Sequence, residues 1–158
     1  MPGLTVEDLY KERKEVLDLT LLAGSEGLSR PIQTNEIYRP GLVLAGYTDR
    51  FAYKRIQIFG ETEMSYVESL SSEQRRGSME RLTSFPIPMI VTTKGIIAPP
   101  EVLEVADRVK VPLLSTRLST TEFITRLSSI LDGIFAASIS KHGTLVDVYG
   151  VGLLYTGK

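Results

Sequence analysis

The sequence holds no cysteine and a single histidine in 158 residues. A disulfide framework is therefore excluded, and so are zinc sites, cysteine nucleophiles and thiol redox motifs, which need thiolates or clustered imidazoles. Only metals bound by hard oxygen ligands remain open. An excess of one charge is lacking too, since 18 basic against 19 acidic residues leave a formal net charge of −1. Such a balance gives no electrostatic footprint for nucleic acid or for an anionic membrane surface. No segment approaches the roughly 18 apolar residues that span a bilayer, and the opening Met1-Pro2-Gly3-Leu4-Thr5 shows no basic and apolar secretory pattern. The expectation is a cytoplasmic protein with neither nucleic acid nor membrane as partner. Also missing are a Gly-x-Ser-x-Gly elbow, a His-Glu-x-x-His helix, calcium-loop spacing, internal repeats and low-complexity tracts.

What is present is an ordinary globular composition, 42% hydrophobic, long enough to bury a core. Thr5 followed by Asp8 reads as a capping box, with Leu4 and Leu9 at staple spacing, and predicts a helix over 5–15. Leu17–Ala23 and Ile32–Ile37 read as strands, separated by the turn Gly24-Ser25-Glu26-Gly27 and broken by Pro31. Apolar runs follow at Ile56–Phe59, Met89–Val91 and Val111–Leu114, with amphipathic stretches between them. The stretch before the third run starts at Pro99-Pro100, where proline suits a first helical turn, and carries Val102, Leu103, Ala106 and Val109 on one stripe. Ser119 and Glu122 form a second capping pair ahead of Phe123, Ile124, Leu127, Ile130, Leu131 and Ile134 at helical spacing. Strands alternating with helices imply parallel pairing through right-handed crossovers.

The expected fold is α/β: a compact βαβ-type domain with a largely parallel sheet over residues 1–135. It includes a long linker helix at 119–135, and residues 136–158 are expected to be the first strands of a second, truncated domain, a β-hairpin following His142. A two-residue turn at Tyr149-Gly150 would pair Val148 with Val151 and set His142 opposite Gly157. A strand ending in glycine and lysine, here Gly157-Lys158, is what precedes a phosphate-binding loop, because successive N–H groups must curl around an anion free of Cβ atoms. Elsewhere, Arg39-Pro40-Gly41-Leu42 with Leu44-Ala45-Gly46-Tyr47 reads as a proline-started helical turn closed by glycine, and Arg39 is a candidate anion ligand. Gly60 precedes a helix start that would suit an anion, but Glu61 and Glu63 put negative charge there. Arg75-Arg76-Gly77-Ser78 reads as a solvated turn between two helices.

Three stretches together resemble the bacterial HPr kinase/phosphorylase family: Arg39–Leu42 with Leu44–Tyr47, Leu118-Ser119-Thr120-Thr121, and His142–Gly152 running into Thr156-Gly157-Lys158. The resemblance implies a cytoplasmic, hexameric enzyme that uses ATP and magnesium to phosphorylate a serine of the phosphocarrier HPr, and that removes the phosphate by phosphorolysis. It makes His142 an active-site residue beside the phosphate loop, and Gly157 the first glycine of a loop that would continue Ser-Gly-x-Gly-Lys-Ser. Lys158 falls at a variable loop position, and the family's phosphate-binding lysine and metal ligands would lie past it, so no metal ligand is expected in this chain. The chain alone is then expected to be inactive, and the amino-terminal domain is similar to the first domain of peptidoglycan-precursor ligases. The alternative is a free-standing interaction or ligand-sensing α/β module without chemistry.

Overall fold

The computed structural model describes residues 3–142. In chain order the elements are α1 (Val6–Arg13), β1 (Thr20–Ala23), a 3-10 turn (Ser25–Gly27), β2 (Ile37–Tyr38), α2 (Gly41–Leu44), β3 (Ile56–Phe59), α3 (Glu61–Glu68), α4 (Ser72–Thr83), β4 (Ile90–Thr92), α5 (Pro100–Arg108), β5 (Leu113–Ser115) and α6 (Thr120–His142). The sheet runs β1-β5-β4-β3-β2, with β2 to β5 parallel and β1 antiparallel on the edge beside β5. This is the largely parallel α/β sheet that the alternating runs implied.

Strands β3 and β4 are buried along their whole length, because helices cover both faces of the sheet, as parallel sheets require. One face packs Phe59, Ile90 and Leu113 against Val43 and Leu44 of α2, Met64 and Val67 of α3, Met79 and Leu82 of α4, and Val102, Val105 and Ala106 of α5. On the other face Ile56, Ile58, Val91 and Leu114 meet Val6 and Leu9 of α1 and Phe123, Leu127 and Leu131 of α6. Gln57 is the polar exception in β3; its amide donates to the carbonyls of Arg55 at 2.7 Å and Ala52 at 3.3 Å.

Local signals set most helix starts. Asp8 N–H donates to Thr5 Oγ1 at 3.1 Å and Thr5 N–H to Asp8 Oδ2 at 3.0 Å, so the first capping box is complete. The second is half made. Glu122 N–H donates to Ser119 Oγ at 3.1 Å, but the Glu122 carboxylate turns to Arg126 one helical turn on.

Three expectations are corrected. The segment from Ile32 forms strand only at Ile37–Tyr38; Pro31 bridges Thr5, and Ile32 N–H donates to Leu4 at 2.8 Å. Proline cannot extend a ladder, so that part of the chain ties down α1 instead. The Arg75–Ser78 segment is interior to α4, where Arg75 reaches Glu101 and Arg76 reaches Glu104 across to α5. Finally, α6 continues beyond residue 135 to His142. Gly133 is not among the residues with positive φ, so it fails to cap the helix as a terminating glycine would.

Candidate functional site

All four parallel strands end on one side of the sheet, where β3 leads into α3 on one face and β5 leads into α6 on the other. In open α/β sheets the crevice outside the carboxyl ends of the strands is the usual place for a ligand. Here it is a cleft of about 250 Å³ lined by Arg39, Glu61, Thr62, Lys94 and Ser119–Thr121.

Its floor is Gly60. A Cβ there would lie 2.4 Å from Arg39 Nη2 and 2.9 Å from Thr120 Oγ1, so the residue is glycine because two side chains close over it. Glu63, one turn into α3, is buried and accepts from Gly60 N–H at 2.8 Å and from Arg39 Nη2 at 2.8 Å. The carboxylate thus fills the place at the α3 N-terminus where a bound anion would otherwise sit. The charge objection read from Glu61 and Glu63 takes physical form in this one side chain.

The opposite wall is a tight turn after β4. Lys94 and Gly95 both have positive φ, 64° and 65°, and Ile96 N–H returns to Thr93 O at 3.3 Å, the pattern of a type I′ turn. Lys94 N–H donates to Leu118 at 2.8 Å and Gly95 N–H to Thr116 at 2.9 Å, so the turn is pinned to the loop that enters α6. From there Lys94 Nζ reaches Glu61 Oε1 at 3.1 Å. Thr93 and Thr120 hydroxyls meet at 2.6 Å beneath it.

Arg117, in the same loop, is committed elsewhere. It donates to both carboxylate oxygens of Asp18 from its side chain, each at 2.8 Å, and from its backbone N–H at 3.0 Å. Those side-chain bonds first, and the backbone bond second, hold the Asp18 carboxyl down to about 2. Among the described residues no three His, Cys, Asp or Glu side chains converge.

The cleft unites two of the three stretches singled out in the sequence, Arg39–Leu42 and Leu118–Thr121. The third begins at His142, the last residue of α6. At 1.5 Å per residue the 23-residue helix carries His142 about 33 Å from the cleft. Gly157, Lys158 and the expected hairpin lie outside the described residues. The sequence reading missed Lys94 and Thr93 altogether, and it weighed Glu63 only as a charge. A Lys-Gly pair two residues beyond the apolar run Met89–Val91 was the available signal for the turn.

The family model described as HPr Serine kinase N terminus matches residues 4–131. The HPr kinase/phosphorylase of Geobacillus sp. (strain WCH70) is 40% identical over all 158 residues, which cover 50% of that protein. That of Treponema pallidum (strain Nichols) is 44% identical over 147 residues, 93% of this chain and 46% of the relative. The chain therefore spans about half the length of the curated relatives it matches. Among solved structures, the CBS and DRTGG regulatory region of Clostridium perfringens pyrophosphatase, complexed with its activator diadenosine tetraphosphate, aligns with 77% of this chain and 47% of its own. The TM-score is 0.50 at 13% identity, a likeness of fold. With a family model spanning residues 4–131 and relatives matched along the chain, the chain belongs to the HPr serine kinase amino-terminal family.

Proposed function

We propose that this chain is the amino-terminal part of a bifunctional serine kinase/phosphorylase acting on the phosphocarrier HPr. The observation that carries the reading is 40% identity along the whole chain to a protein of that name. In this reading His142 and the loop opening at Gly157-Lys158 belong to the phosphoryl-transfer site. ATP and magnesium would be held by residues past Lys158, in a cytoplasmic and hexameric assembly. Phosphoryl transfer depends on a cradle of amides, a lysine and a metal around the β- and γ-phosphates. Two residues of such a loop supply neither positioning nor charge, so the chain alone does not catalyse the reaction.

The test compares this chain with a form extended through the rest of the loop and its domain, using HPr, ATP and magnesium and detecting phosphoserine by mass spectrometry. The extended form phosphorylates HPr; this chain does not. Phosphoserine formed on HPr by this chain alone would overturn its inactivity. Absence of phosphoserine with the extended form would overturn the kinase reading.

A second reading, that residues 3–135 sense a ligand without performing chemistry, is favoured by the cleft lying one full helix away from His142. The two are compatible if the cleft informs the catalytic half through α6.

A further inference from the structure

We infer that the cleft between α3 and α6 binds a small phosphate-bearing molecule, whose phosphate takes the place that Glu61 now holds against Lys94. The donors come from three loops. Arg39 spends Nη2 on Glu63 and makes no other hydrogen bond among the described residues; its side chain is 40% exposed. A guanidinium carries five N–H donors, so most of Arg39 is available to the cleft. The buried Glu63 fixes where that guanidinium stands, while the missing Cβ of Gly60 leaves it room.

Lys94 approaches from the facing turn. Its partner Glu61 is 69% exposed, and an ion pair so open to water is weak. A phosphate carries more charge than a carboxylate and accepts charge-assisted bonds more strongly, so it displaces Glu61 rather than competing with a buried partner. Thr121 lines the same cleft, and the Ser119 hydroxyl, already accepting from Glu122 N–H, keeps its own proton to donate. Donors from Arg39, Lys94 and the two hydroxyls converge from different directions. The three terminal oxygens of a phosphate monoester meet donors from several directions better than the two coplanar oxygens of a carboxylate. The volume of about 250 Å³ leaves room for a body of sugar size beside the phosphate.

This inference stands apart from the kinase reading, since binding would belong to these residues whatever the other half of the protein does. The experiment is an NMR titration of the full ¹⁵N-labelled chain with inorganic phosphate at constant ionic strength, and with acetate in parallel. Amides of Lys94, Gly95, Thr120 and Thr121 shift saturably with phosphate, and acetate binds more weakly. Glu61→Gln removes the resident carboxylate and tightens phosphate about threefold, the scale of one exposed ion pair. Lys94→Asn, which tolerates the left-handed backbone at that position, weakens it by at least as much.

Shifts that rise linearly without saturation, that cluster elsewhere, or that acetate reproduces equally would overturn the proposal. So would a Glu61→Gln chain that binds phosphate no better than the parent, which decides the matter even if Lys94→Asn fails to fold. None of these failures touches the family assignment or the HPr phosphorylation test.

Discussion

At the amino ends of the parallel strands, Arg30 donates from Nε, Nη1 and Nη2 to the carbonyls of Lys110, Ile87 and Val109 at 2.8, 3.1 and 3.2 Å. At the carboxyl ends, Arg39 donates only to Glu63. Burial lowers the pKa of the Arg30 guanidinium, and its donors close the C-terminus of α5 against the entry to β4. Around it the backbone is packed to the limit: a Cβ at Gly27 would lie 1.9 Å from Lys110 O, and one at Gly24 would lie 2.0 Å from Val111 O. Gly24 also has φ 75°, a left-handed conformation that side chains resist. Both ends carry an exposed ion pair, a left-handed lysine and a cleft, Lys94–Glu61 at the carboxyl end and Lys110–Glu26 at the amino end. The arginines differ: Arg30 spends its donors on backbone, whereas Arg39 holds most of its donors free of it. Structural and binding arginines are distinguishable by where their N–H groups go.

The contrast is broken most severely at Gly27. Its neighbour is backbone that cannot swing away, so Gly27→Ala should cost more than about 3 kcal/mol in chemical denaturation, at the upper end of overpacking effects. A cost below about 1 kcal/mol would show that the amino end is looser than its geometry implies. Next comes Arg30→Met, which keeps the aliphatic stem and strands three carbonyls, for a loss of about 2–3 kcal/mol on the scale of unsatisfied acceptors.

Gly60→Ala at the opposite end should cost less, about 1–2 kcal/mol, because the obstructing Arg39 tip is a flexible side chain that can yield. The sharper readout is Arg39 itself, since the new methyl pushes it off Glu63. A Gly60→Ala loss equal to that of Gly27→Ala would erase the difference between the two ends.

A smaller effect is expected from Asp18→Asn, which keeps a residue tolerant of the φ of 53° there. The folded carboxyl sits at about 2 against an ordinary 3.8, so protonation favours the unfolded chain. The stabilisation is present above pH 3.8 and disappears as the pH falls through about 2. Melting temperatures of parent and variant should differ at pH 7 and converge near pH 2; a gap that persists in acid would mean that Arg117 is not its source. Smallest of all, Glu61→Gln should alter thermal stability by less than about 0.5 kcal/mol, as exposed pairs do, leaving its consequence to ligand affinity.

The interior of the sheet was legible because β3 and β4 are buried on both faces, which forces continuous apolar runs. Strand β2 was not, because Ile37–Tyr38 is strand only through its pairing with Ile56 and Gln57 of β3. Arg75 and Arg76 read as a solvated turn, since nothing local announces Glu101 and Glu104 waiting on α5. At α6 the reading stopped near Gly133. A mid-helix glycine costs about 1 kcal/mol relative to alanine, too little to end a helix anchored by Phe123, Leu127 and Leu131.

The amino-acid order by itself determined the buried strands, the Thr5–Asp8 capping box and the family, because each rests on neighbouring residues or on whole-chain similarity. The cleft was decided only in three dimensions. Arg39, Glu63, Lys94 and Thr120 belong to four separate segments, and parallel pairing is what brings the ends of those segments to one side of the sheet. Whether an arginine serves the backbone or keeps donors for a ligand depends on acceptors far away in the chain, and only the folded packing sets those.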